Sequence, residues 1–344
     1  MQLRDVNTFS ARYEVLRNGG VIGTLEAYDV PEVLCDTGSD LVMSFRGTFR
    51  RTAKYNYFTD RLRPVVTIND TEYPLGVYIV TTDEPSEEDG QEIVTLEAYS
   101  LLYLARRKKI EERIHISAGT NYMTAITELL SLAGISTIEA ETTDHVFATD
   151  REDWDIGTAV LEIVNELLDE ISFEKAYVDL SGCVKLRKYT KPTLTEVDHT
   201  YTEGIDSLII PGYKVTADRY NKANVFRVTC DNPDMDGVMV AVSENNSESS
   251  PFSTVNIGRV LHNEQVNNVP SLEALQARAD ALRDKSMQTT EKIEFVTAIV
   301  PTHSPYDVVA LQIGETSGIF VETGWQISIS PDEDMKHTAR RVIQ

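Results

Sequence analysis

The chain has 344 residues, of which 41% are hydrophobic, 8% aromatic and 25% charged. This is ordinary globular usage and excludes a disordered, collagen-like or low-complexity polymer. The length exceeds what one hydrophobic core usually serves, so two or three domains are expected. Lys plus Arg number 32 against 55 Asp plus Glu, a formal charge of −23. Such a field repels phosphate backbones and anionic lipid, so neither specific nucleic-acid binding nor stable membrane insertion is expected.

From Tyr13 to Tyr99 short β-branched and aromatic runs at 20–30, 41–49, 64–80 and 93–99 are separated by Gly, Asn, Asp and Pro. This reads as antiparallel strands of a small barrel or sandwich. Asn69-Asp70 between two such runs predicts a hairpin, because both side chains tolerate positive φ and cap their own turn. The period then changes. In 120–134 the apolar residues Tyr122, Ile126, Leu129, Leu130 and Ala133 recur at three and four, which predicts a helix capped by Thr120 or Asn121 and stopped at Gly134. A second helix is expected from about Asp155, with Ile156, Val160, Ile163, Val164, Leu167 and Leu168 on one face. Leu180-Ser181-Gly182 then marks a hairpin within 173–189. Strands return at 208–216, 224–231 and 236–243, followed by a polar loop over 243–253. Pro270-Ser271 opens a third helix carrying Leu272, Leu275, Ala279 and Leu282 on one face, and strands resume at 291–300, 308–313, 318–321 and 325–330.

Cys35, Cys183 and Cys230 are odd in number and widely spaced, a pattern for reduced thiols rather than a disulfide framework or zinc site. The N-terminal residues lack a basic segment followed by an apolar core, and no run approaches about 18 apolar residues, so synthesis and folding in the cytoplasm are expected. His115, His145, His199, His262, His303 and His337 are dispersed without helical metal-ligand spacing, which excludes a helix-borne metal site and leaves a discontinuous one open. Asp231, Asp234 and Asp236 lack the regular spacing and closing Glu of a calcium loop and read as a turn. No cofactor motif is present.

Leu34-Cys35-Asp36-Thr37-Gly38-Ser39 has the form in which aspartic proteases present a catalytic carboxylate. That chemistry needs two carboxylates sharing a proton, so one copy requires a symmetric dimer. The same residues also make a good turn, with Asp as cap, and this is the favoured reading. A carbohydrate-binding β-module is a further alternative, with Trp154 and Trp325 as the available tryptophans.

One basic island stands out: Arg46, Arg50, Arg51, Lys54, Arg61 and Arg63 surround Tyr55, Tyr57 and Phe58. Arg and aromatic residues are enriched at protein interfaces, and Arg46, Arg50, Arg51, Tyr55, Tyr57, Phe58, Arg61 and Arg63 are the candidate subunit-interface residues. Residues 83–92 hold six acids and no base, a matching surface on a neighbouring copy. The competing reading is a hairpin loop folded back on its own barrel. The segment 139–174 holds twelve acids and one Arg; it is read either as the wall of a channel or as a solvated helix face.

Several strings in order resemble one family. Residues 57–80, ending on Pro74-Leu75-Gly76 and an apolar strand, are similar to the first β-domain of phage tail hub proteins, the baseplate hubs of contractile and phage-like particles. Residues 117–135 and 151–186 resemble their inserted domain, 219–260 leading into the helix 271–286 resembles their second barrel, and 306–342 is similar to their closing strands. The resemblance implies an α+β, mainly antiparallel β fold: two small tail-tube-like β-barrel domains with an inserted α/β domain. The expected division is 1–105, 106–203 and 204–344, with discontinuous boundaries. It further implies a non-enzymatic homotrimeric ring without cofactor or metal. This ring would contact the tail tube or distal tail protein, the spike or tip protein and the tape-measure protein, in a tail assembled in the host cytoplasm.

Overall fold

The computed structural model describes residues 8–193, 195–205, 207–217, 222–232, 237–288 and 291–342. The chain opens with β1 (Phe9–Arg17), β2 (Gly20–Leu25), β3 (Glu32–Asp36), β4 (Met43–Arg50), β5 (Arg61–Ile68), β6 (Thr71–Pro74), β7 (Tyr78–Glu88) and β8 (Gln91–Ser100). Then come α1 (Tyr103–Arg107), α2 (Tyr122–Leu132), β9 (Ile138–Ala140), α3 (Val160–Glu170), β10 (Tyr177–Val178) and β11 (Val184–Leu186). The last part holds β12 (His199–Thr202), β13 (Ile209–Ala217), β14 (Val225–Cys230), β15 (Met239–Glu244), α4 (Thr254–Ile257) and β16 (Leu261–Val266). It closes with α5 (Leu272–Gln288), β17 (Glu291–Thr297), β18 (Val308–Ile313), β19 (Thr316–Ser328) and β20 (Met335–Arg341). The fold is α+β and mainly antiparallel β, as expected from the sequence. No helix among the described residues is long and apolar enough to cross a membrane.

Tight turns set the early registers. Asn18-Gly19, Asn69-Asp70 and Asp89-Gly90 all have positive φ at both positions, the geometry that matches the right-handed twist of two-residue hairpins. The resulting strands alternate: Met43, Phe45, Gly47 and Phe49 of β4 point inward while Arg46 and Arg50 point out.

The architecture differs from two closed barrels. Fourteen strands belong to one sheet, whose main path runs β13-β17-β20-β19-β3-β4-β8-β7-β5-β1-β2. The early and late strands meet at β3 and β19, where Cys35 pairs with Trp325 and Val33 with Ile327. Gly324 sits at this crossing because a Cβ there would come within 2.9 Å of the Cys35 carbonyl. One core consequently spans both halves, joining Phe45, Phe49 and Tyr78 to Phe295, Phe320 and Ile327. The end of β2 turns back toward β4 through an Ala27–Phe49 bridge, so the first half curls without making a separate closed sheet. Strands β14, β15 and β16, expected in a second barrel, instead form their own three-stranded sheet, against which α5 packs Ala274, Leu275 and Ala279.

The middle of the chain forms a second core from α2, α3 and the β10-β11-β9 sheet. Asn121 caps α2, accepting Met123 N at 2.9 Å and Thr124 N at 3.3 Å, and Gly134 follows the helix with φ 84°, both as the sequence predicts. Helix α3 starts at Val160 rather than near Asp155, because Gly157 has φ 94° and Thr158 closes a turn on the Asp155 carbonyl.

Arg151, 2% exposed, fastens this core. It bonds both oxygens of Glu170 at 3.1 and 3.0 Å and pairs with Asp153, while Tyr122 donates to Glu170 at 2.8 Å. Its guanidinium also lies 4.9 Å from the centre of the Trp154 ring. Burial pushes the Glu170 carboxyl up to about 7 from its ordinary 4.5, against the opposing pull of Arg151. The folded state therefore binds a proton that the unfolded chain releases. The stability from this group is complete below about pH 4.5 and lost as pH rises through about 7. Thermal melts of Glu170→Gln across that interval should show a flatter pH dependence than wild type; an unchanged slope would contradict the assignment.

Candidate interaction surface

The basic island lies where β4 leads into β5, and its charges are largely matched within the chain. Arg50 meets Glu26 at 2.8 Å, Arg51 meets Glu92 at 3.7 Å, Arg46 meets Glu97 at 3.9 Å and Arg63 meets Glu14 at 2.6 Å. Of these partners only Glu92 belongs to the acidic segment 83–92, so Arg51 meets that segment inside one copy. Arg46, Arg50 and Arg51 and their partners are all exposed, each side chain by about half or more. Such surface pairs contribute only about 0–1 kcal/mol each and exchange easily for a partner. Arg61 makes no ion pair among the described residues.

The 51–60 loop is pinned from beneath. Tyr55, 9% exposed, donates its hydroxyl to the Thr24 carbonyl at 3.1 Å. Gly23 makes room for it, since a Cβ there would lie 2.2 Å from that hydroxyl. Asp60, 2% exposed, accepts Arg17 through two bonds of 2.8 Å and Asn56 N at 2.8 Å. The Arg17 hydrogen bonds hold the Asp60 carboxyl below the usual carboxylate range. Asn56 in turn accepts Phe58 N at 3.1 Å. Tyr57 is half buried, and Phe58 stands 90% exposed at the crest. These contacts fix the loop so that Phe58 projects into solvent. Of the expected interface residues, Tyr55 is thus a support of the loop, and Phe58 with its surrounding arginines is the exposed element.

Asp36 ends β3, and its Oδ1 accepts Gly38 N at 2.9 Å while its carbonyl accepts Ser39 N at 3.1 Å. The Asp-Thr-Gly-Ser string is therefore a capped turn, and Thr37 docks it onto β19 through the Thr323 carbonyl at 3.0 Å. Cys35 and Cys230 are buried and Cys183 is half buried, all as free thiols. Asp234 and Asp236 lie outside the described residues. Several acids of 139–174 are matched by distant cations: Glu139 by Lys185, Asp169 by Arg278 and Glu174 by Lys285.

The fold also gathers residues whose grouping the sequence conceals. His303, Glu322 and His337, each no more than 2% exposed, meet behind β19 and β20. His303 Nδ1 and His337 Nδ1 lie 2.5 Å from different oxygens of Glu322. Beside them His199 Nε2 meets Asp307 at 3.0 Å. Burial drives the His303 imidazole down to about 3, lowers His337 and raises Glu322. The signals available were a charged residue ending the apolar run 319–322 and a histidine at an inward position of an alternating strand.

Solved structures provide the comparison for the whole fold. A tail protein from Neisseria meningitidis superposes with TM-score 0.68 at 12% identity, over 96% of this chain and 97% of that one. The 43 kDa tail protein of a Shewanella oneidensis prophage gives 0.67 at 11%, over 96% and 98%. An E. coli type VI secretion system component, described as similar to phage T4 tail proteins, gives 0.53 at 7%, over 96% and 77%. Neither a family model nor a curated protein matches the sequence.

Asp60→Ala is expected to lower the free energy of unfolding by about 1–3 kcal/mol, because Arg17 and the Asn56 amide lose a buried acceptor. Phe58→Ser should stay within about 0.5 kcal/mol of wild type. Urea midpoints with unchanged m-values decide both. Together these observations give the chain the fold shared by these phage tail proteins and the type VI secretion component.

Proposed function

We propose that this chain is a structural hub of a phage or phage-like tail. Three copies form a ring that joins the tail tube to the spike or tip apparatus and lets DNA or the tape measure pass. The carrying observation is the fold match over 96% of this chain and 97% of a tail protein, which leaves little of either chain outside the shared architecture. On this reading the early and late parts of the sheet act as two tube-like modules per copy, so that three copies present six positions to a sixfold tube. The parts are 1–105, the inserted 106–203 and 204–344, with β12 returning from the insert to pair with β18.

Phe58 with Arg46, Arg50, Arg51, Tyr57, Arg61 and Arg63 supplies the subunit or partner contact, and Tyr55 holds the loop in place. The partners are further copies of this chain, the tail tube or distal tail protein, the spike or tip protein and the tape-measure protein. The charge of −23 suits a wall that DNA slides past, since few phosphate contacts would form to retain it. The turn-bound Asp36 carboxylate gives a protease reading no support. Buried Trp154 and Trp325 are not available to stack on sugars.

Immunogold microscopy of particles should place an antibody against this chain at the distal end of a tail. Label on no particle, with the protein free in solution, would end the structural reading. In light scattering, Phe58→Asp should weaken self-association without lowering the monomer's melting temperature, whereas unchanged assembly would remove this loop from the contact.

A further inference from the structure

We infer that β13 of one copy pairs antiparallel with residues 83–86 of β7 in the next, so that copies are joined by the same strand contact that β3 and β19 make within each. The inference rests on the ring proposed above and names its joint. Two halves of the large sheet repeat one pattern. Strands of the first half lie side by side as β3-β4-β8-β7-β5 and those of the second as β13-β17-β20-β19-β18, in matching chain order and with every neighbour antiparallel. The strand beside β5 and β18 breaks the match, since β1 runs antiparallel and β12 parallel. The long strand of each half is bulged at a threonine: Thr81 of β7, between Val80 and Thr82, and Thr323 of β19, between Glu322 and Gly324. Aligned there, buried Tyr78 matches buried Phe320, and the pair Ile79–Arg61 matches Val321–Val308. Across the strands, the row Val80-Ala98-Phe45-Val33 matches Glu322-Ala339-Ile293-Val215.

What differs is the partner. Within the copy Val33 lies against Ile327 and Cys35 against Trp325, and Val33 is 0% exposed. The matching edge of β13, and that of β7 from Thr82 onward, pair with no further strand among the described residues. Val215, in the row of buried Ile293, is accordingly 39% exposed. Open edges of this kind are templates for strand addition. Transferring the internal register sets Ala217 against Asp83, Thr216 against Glu84, Val215 against Pro85 and Lys214 against Ser86. Exposed Lys214 then lies diagonal to Glu84, with Lys292 beyond Thr216 on the same face, so cations meet the acidic strand. Ile329 N bonds the Pro31 carbonyl at 2.8 Å, and two residues earlier the Ile327 N–H points the same way, toward β3. Pro85 stands where Ile327 does and brings no N–H, so the joint between copies has one hydrogen bond fewer than the internal one. The contact is head to tail, and the two joints alternate around a closed ring.

The test combines Glu84→Cys with Thr216→Cys in the full chain. Both positions are exposed, and the register makes them a non-hydrogen-bonded pair, whose Cα atoms lie about 4.5 Å apart and accept a disulfide. Oxidation of concentrated protein with copper–phenanthroline should give linked dimers and trimers on non-reducing gels, about tenfold above either single variant. The single variants control for Cys35, Cys183 and Cys230. The shifted pair Glu84→Cys with Val215→Cys should link several-fold less, because neighbouring positions on a strand face opposite sides of the sheet. Linking no greater than in the single variants would overturn the inference, as would equal linking of the shifted pair. Antibody label at the tail tip without linking keeps the hub reading and places the copy contact elsewhere. Specific linking without tail label keeps the joint and ends the hub reading.

Discussion

The antiparallel pairing of β3 with β19 is the contact on which the rest of the molecule depends. It is only five residues long, from Glu32 to Asp36 against Gly324 to Ser328, yet it turns two sheets into one and lets a single core run through both. A sheet edge left open at either strand would expose a row of unpaired backbone groups. Gly324 permits the close approach, and the Asp36 turn finishes it by docking Thr37 on the neighbouring strand. The string that resembles a protease motif is thus part of the joint. Its residues serve backbone geometry, and the carboxylate is occupied by the turn it caps.

Charge is distributed differently from what composition suggests. Composition alone describes a self-repelling chain, but many of its acids have fixed cationic partners far away in sequence. Arg151 draws Asp153, Glu166 and Glu170 together in the second core, and Arg278 of α5 spans Asp169 and Glu264. The unit of β14, β15, β16 and α5 meets the α2–α3 core through polar pairs, whereas the large sheet is welded by apolar side chains. Packing that rests on ion pairs is more easily rearranged than packing that rests on a core.

The local structure was legible wherever a short-range rule dominates. The Asn121 cap, the Gly134 stop, the Asn69-Asp70 turn and the 3.6-residue period of α2 each follow from neighbouring residues alone. Strand β20 was not read as a strand because Lys336, Thr338 and Arg340 mask the inward Met335, His337 and Ala339. Strand β16 was missed for a similar reason, being mostly polar and exposed. The sheet's continuity was beyond reach, since nothing in Val33 or Ile327 announces its partner. For the surface, the basic island was visible as composition, but only coordinates separate the supporting Tyr55 from the exposed Phe58. The histidine cluster lay further still, assembled from residues that local spacing does not relate.

The β3–β19 joint also bears on how the protein reaches its folded state. Its two strands are separated by nearly the whole chain, so the ends of a very long loop must meet before the contact stabilises anything. Folding rates fall as contacts become less local. On a ribosome, β3 emerges long before β19 exists, and until then its exposed backbone edge is open to wrong partners. The α2–α3 core, built from more local contacts, can form meanwhile. Maturation is therefore gated by the synthesis of the late strands, and a truncated product would retain a folded middle between unclosed sheet edges, a form prone to aggregate.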